Sequence, residues 1–188
     1  IQTPLAKACV NGMLGYADRA DDDSVPDRWQ RYLALMERLE RLASNGRWVD
    51  HQAIMESVAK AIYKDALVTF EFENSSPCVE KMKSRIELMN SIASRPWFQR
   101  SIVIQSEYGK LLGLVCFLLP LESNIPELKT LWREWSSQIL KCCRERPLNE
   151  STVSLLMTAT KHVISRESES KPLASEVRMI LTSRFGRD

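Results

Sequence analysis

The sequence is short of nearly everything that marks a dedicated chemistry. It carries two histidines and six glycines in 188 residues. His51 and His162 stand far apart, so neither the H-E-x-x-H nor the H-x-E…C-x-x-C spacing that gathers metal ligands is formed. The scattered glycines make no G-x-G-x-x-G, no phosphate-cradling loop and no G-x-S-x-G elbow, which leaves dinucleotide, P-loop and hydrolase chemistry without their local devices. A strong net charge is also lacking. The 26 Lys and Arg against 24 Asp and Glu leave +2, too little to act as a general field for nucleic acid or membrane.

Long apolar runs and paired cysteines are missing as well. The longest apolar stretch, Leu111 to Leu121, is eleven residues, where a membrane-spanning helix needs about 20; it reads as a buried core helix. The five cysteines, Cys9, Cys78, Cys116, Cys142 and Cys143, are odd in number and contain no C-x-x-C. Neither a disulfide framework nor a structural zinc site is suggested, and a reducing compartment, nuclear or cytoplasmic, is expected. Cys142 and Cys143 fall late in a helical stretch, where the dipole raises a thiol pKa, so packing is their expected role. The chain opens at Ile1 and places Asp18 and Asp21 to Asp23 early, which a basic-then-apolar signal peptide does not do. One helical domain over residues 1–188, cut from a longer protein, is the expectation.

What the sequence does have is helix punctuation. Proline lacks an N–H and is best tolerated at a helix start. Six of the eight prolines sit at such places: Pro4, Pro26, Pro77, Pro96, Pro126 and Pro172. Each is followed by apolar residues at three- and four-residue spacing, such as Trp29, Leu33 and Met36, or Val79, Met82, Ile86 and Met89. Asp50 and Asn149 are the expected caps of two further helices, and Pro147 ends the one that Pro126 opens. The segment after Pro96 is expected to run through Ile102 into the apolar stretch, with a break near Tyr108-Gly109. Val68 to Phe72 and Ser101 to Ile104 are β-branched or aromatic enough for short strands; they are read as helix or helix end.

Helix starts fall near residues 3, 26, 50, 76, 96, 123, 149 and 172, so pairs of helices recur about every 50 residues. That period belongs to stacked helical hairpins, none of which buries its apolar face alone. On this spacing and on the Pro-led helices Pro26-Asp27-Arg28-Trp29 and Pro126-Glu127-Leu128, the chain resembles the HEAT and armadillo class of α-solenoids. The resemblance implies an all-α fold, a right-handed α-α superhelix of about four hairpins. The alternative is an irregular orthogonal multi-helix bundle.

Charge supplies the functional clue. Residues 1–75 hold 9 basic and 12 acidic side chains and residues 76–188 hold 17 and 12, so the chain is electrically polar along its length. On the second helix of successive hairpins, Arg28 and Arg31, Lys81 and Arg85, and Lys129 and Arg133 recur at three- or four-residue spacing, a row suited to an acidic peptide or a phosphate backbone. Trp97 and Trp132 are the candidate aromatic anchors. Asp21 to Asp23 lack the order of a calcium loop and read as an acidic interhelical turn, and Ser165 to Lys171 reads as a polar connector. With no catalytic constellation and no cofactor motif, the expected function is a non-enzymatic protein–protein interaction domain. It would be a helical-repeat scaffold or regulatory subunit of a larger complex, holding a partner peptide or helix through Arg85, Trp97, Lys129, Trp132 and Arg133. A nucleic-acid-binding module that uses the basic C-terminal face is the second reading; no membrane or small-molecule partner is implied.

Overall fold

The computed structural model describes residues 51–72, 76–118, 126–166 and 169–186, together with the isolated helical positions Pro4, Ala8, Asn11 and Ala34. The expected helix starts near residues 3 and 26 therefore lie outside the described residues, as do Arg28, Arg31, Trp29 and Asp21 to Asp23. Six helices follow in order: α1 (His51–Phe72), α2 (Ser76–Ala93), α3 (Ile102–Gly113), α4 (Pro126–Glu145), α5 (Glu150–Ser165) and α6 (Lys171–Phe185). A 3₁₀ turn, Pro96–Phe98, precedes α3, and a π turn, Leu114–Leu118, extends it. The described residues contain no strand, and the fold is all-α.

The helix ends are where the punctuation puts them. Asn149 caps α5 with its side-chain oxygen, which accepts from the Thr152 N–H at 2.9 Å. That contact satisfies one of the donors a helix start leaves orphaned. Pro126 begins α4, Pro172 lies in the first turn of α6, and Gly186, at φ 65°, ends α6 in the left-handed conformation that glycine adopts without a Cβ penalty. Both β-branched segments are helical. Val68 to Phe72 complete α1, and Ser101 caps α3 by accepting from the Ile104 N–H at 3.2 Å.

The expected break at Tyr108-Gly109 is absent. Residues 102 to 113 form one unbroken helix, and the irregularity lies further on, in the π turn. Gly109 serves close approach and not chain reversal. A Cβ built on it would stand 3.2 Å from Leu148 Cδ2 and 3.5 Å from Cys142 Sγ, and one built on Gly113 would stand 2.4 Å from Leu156 Cδ2. Two glycines four residues apart thus let α3 settle closely against α5 and the end of α4, where a larger residue would force Leu148 or Leu156 to shift.

The packing is ordered by hairpin. α1 packs with α2, α3 and its π turn with α4, and α5 with α6. Between pairs, α1, α3 and α5 contact one another in sequence, and so do α2, α4 and α6. The first and last pairs share no extensive contact; both lean on α3 and α4. α3 and its π turn are accordingly enclosed on all sides, with Ile104, Tyr108, Leu111 and Leu112 of the helix and Leu114 and Phe117 of the turn all essentially without exposure. Each such side chain removed from water contributes about 1.5–3 kcal/mol before entropy is counted.

Candidate functional site

Of the row of cations expected on the second helices, the structure turns Arg85 inward. Arg85 is buried: its Nε donates to Asp65 Oδ2 at 2.6 Å, tying α2 to α1. Its position explains why. Met82, Arg85, Ile86 and Met89 lie at i, i+3, i+4 and i+7, so Arg85 sits within the apolar stripe and turns inward with it. Arg85 is therefore removed from the expected docking face. Arg133 is exposed and pairs with Glu169 at 2.9 Å. Lys129 and Trp132 are backbone positions of α4 and Trp97 of the 3₁₀ turn, but their side chains lie outside those described.

A groove lies elsewhere, at the edge where the end of α2, the 3₁₀ turn and the start of α3 meet the end of α4. Its volume is about 720 Å³, and its walls include Gln99, Arg100, Ile102, Lys141, Glu145 and Arg146. Ile102 is 53% exposed although it is a large aliphatic, so the groove mixes an apolar contact with charge. Among the described residues, Arg100 and Lys141 form no ion pair, and Glu145, the one carboxylate lining this groove, lies within ion-pairing distance of neither of them nor of Arg146. Ion pairs elsewhere among the described residues join Arg85 to Asp65, Lys110 to Glu107, Arg133 to Glu169 and Arg144 to Glu176.

Arg146 is the organised element of this groove. Its Nη1 donates to the carbonyl of Ala93, at the end of α2, at 3.0 Å, and to Gln105 Oε1 on α3. Its guanidinium carbon stands 5.1 Å from the centre of the Tyr108 ring, a cation–π distance. Gln105 is itself fully buried and completes the junction by donating to the carbonyls of Ala93 at 2.8 Å and Phe98 at 2.9 Å. Tyr108 donates to Asn90 Oδ1 at 3.1 Å, and burial holds its hydroxyl above the ordinary range against the opposing pull of Arg146. The neighbouring end of α4, where unpaired carbonyls ordinarily amount to about −0.5 of a charge, is capped by Arg184. Its Nη1 donates to the carbonyls of Cys143 and Arg146, both at 2.8 Å.

None of these residues stood out in the sequence. Lys141 and Arg146 come from the end of α4 and Arg100 from the connector before α3, and only the folding of α3 against α4 brings Arg100 beside the other two. The one local signal is the Arg-Pro junction, Arg146-Pro147, at a helix end.

The cysteines behave as packing residues. Cys116, Cys142 and Cys143 are free and buried, and burial pushes all three thiols up, Cys142 to about 12, so they stay protonated at neutral pH. Cys9 and the Cys78 side chain lie outside the described residues. His162 is exposed on α5, where with Leu118, Leu155, Ala159 and Arg166 it borders a second, more apolar groove of about 630 Å³. Among the described residues, no three His, Cys, Asp or Glu side chains are placed to hold a metal ion, and no helix is long and apolar enough to cross a membrane. Compared with known proteins, the chain matches no family model, no curated protein and no solved structure.

Proposed function

We propose that this chain is a non-catalytic interaction domain, a helical scaffold or regulatory subunit, that holds an acidic peptide segment of a partner protein in the groove between the start of α3 and the end of α4. The observation that carries the reading is the groove's composition: Arg100, Lys141 and Arg146 against Glu145, beside the exposed Ile102. An occupant complementary to it has negative charge and an apolar side chain within a few residues of each other. The order of hairpin contacts, each pair leaning on the next, supports an α-solenoid of the HEAT and armadillo kind. Three free, buried thiols favour a reducing compartment, nuclear or cytoplasmic.

Selection of a random displayed peptide library against the domain tests the reading. Enrichment of sequences that combine Asp or Glu with one aliphatic or aromatic residue, and loss of their binding in Arg100→Glu/Lys141→Glu, is the expected result. No enrichment, or enrichment unaffected by the double reversal, overturns the reading. The nucleic-acid reading predicts a different outcome, duplex binding that weakens by about 0.9 log units per log unit of salt for each phosphate contacted.

A further inference from the structure

We propose that the negative group this groove reads is a phosphorylated side chain, a phosphoserine or phosphothreonine of the partner peptide. The inference rests on the groove being a peptide site, and it concerns what that site discriminates.

Charge count is the first argument. Three cations and one carboxylate give the groove lining a net +2. A phosphate monoester carries about −1.5 to −2 at pH 7, whereas one peptide carboxylate carries −1 and leaves a cation uncompensated. The cap that Arg184 places on the carbonyls of Cys143 and Arg146 removes the negative field that the end of α4 would otherwise add.

The second argument is geometric. Arg146 uses Nη1 for both of its protein hydrogen bonds, to Ala93 O and Gln105 Oε1. Its Nε and Nη2 donate to no group among the described residues. These two nitrogens form the side-on edge of a guanidinium, the edge that meets two oxygens of one oxyanion in parallel hydrogen bonds. The edge is held in place before any ligand arrives, because Nη1 is tethered at two points and the plane lies near the Tyr108 ring. A lysine there would offer a point charge and no fork. Arg100 and Lys141, exposed and without ion pairs among the described residues, are the partners assigned to the third oxygen.

The test uses three fluorescein-labelled degenerate peptide pools that differ only at a fixed central residue: phosphoserine, serine or glutamate. Binding is followed by fluorescence anisotropy at physiological salt. The phosphoserine pool is expected to bind at least tenfold more tightly than either other pool, and Arg100→Ala and Lys141→Ala are each expected to reduce that preference at least fivefold without moving the melting temperature. Equal binding of the phosphoserine and glutamate pools, with both above serine, overturns the phosphate inference and leaves the acidic-peptide groove standing. Binding of no pool overturns both. A phosphoserine preference undiminished in Arg100→Ala/Lys141→Ala places the phosphate site elsewhere and overturns the assignment, and so does capture by phosphatidylinositol phosphate vesicles with no peptide preference.

Discussion

Arg85 and Asp65 join α2 to α1 through a 2.6 Å contact between side chains that are 9% and 4% exposed. Removing one partner of a buried pair costs about 3–5 kcal/mol, whereas replacing both partners by apolar residues of similar volume is often neutral or stabilising. Arg85→Ala is therefore expected to destabilise by about 3–5 kcal/mol, and Asp65→Leu/Arg85→Met to recover most of the loss. Urea unfolding of the three proteins checks this. A double variant no better than Arg85→Ala would show that the charges themselves hold the junction.

Gly113 and Leu156 form the tightest approach of α3 to α5. A methyl group at residue 113 would meet Leu156 Cδ2 at 2.4 Å, so the buried tip of Leu156 must shift; this overpacking, set against the roughly 1 kcal/mol by which alanine outdoes glycine in a helix, makes Gly113→Ala expected to cost about 0–2 kcal/mol. In a Leu156→Ala background the same change should cost less. A double-mutant cycle measures the difference; identical costs in both backgrounds would mean that the two residues do not meet.

Asn149 supplies the cap of α5 through its contact with the Thr152 N–H. Asn149→Ala is expected to lower stability by about 1 kcal/mol and Asn149→Ser by much less, because serine also offers an accepting oxygen. Thermal unfolding distinguishes them, and equal losses for the two variants would contradict the capping role.

The buried thiols make the fold sensitive to alkali. Cys142 moves from an ordinary 9.0 to about 12, and Cys116 and Cys143 shift in the same direction. A raised folded-state pKa means that the contribution is complete below pH 9, where both states hold the proton. It is lost as pH rises toward 12, because the unfolded chain ionises first. Stability is expected to fall by about 1.4 kcal/mol per pH unit for each thiol across that window. Cys142→Ala should lower the plateau near neutrality and also make the alkaline slope shallower. Urea midpoints between pH 7 and 11 provide the check, and an unchanged slope would show that Cys142 is not titrating with unfolding.

Much of the described fold was legible because its signals are local. Proline at a helix start, asparagine at a cap and apolar residues at three- and four-residue spacing act within one or two turns, and α2, α4, α5 and α6 begin within a few residues of where those signals stand. Gly109 misled because a glycine in a helix reads as a break unless the neighbouring helix is known; its reason is Leu148 and Cys142, more than thirty residues away. Arg85 misled for a related reason. Charge alone suggested solvent, while its register among Met82, Ile86 and Met89 pointed inward, and the partner that makes inward burial affordable, Asp65, lies on another helix. The groove was the least legible, since Arg100 and Lys141 share no element and no spacing, and tertiary packing alone brings them together.

The most direct test of the account is to map where a selected acidic peptide binds, by backbone amide shift changes on the labelled domain. The account predicts the largest changes at Gln99, Arg100, Ile102, Lys141 and Arg146, little change around Arg133 at the exposed pair with Glu169, and loss of the shifts in Arg100→Glu/Lys141→Glu with the fold intact. Shifts centred on Arg133 or on the His162 groove, with residues 99 to 102 and 141 to 146 unmoved, would contradict it.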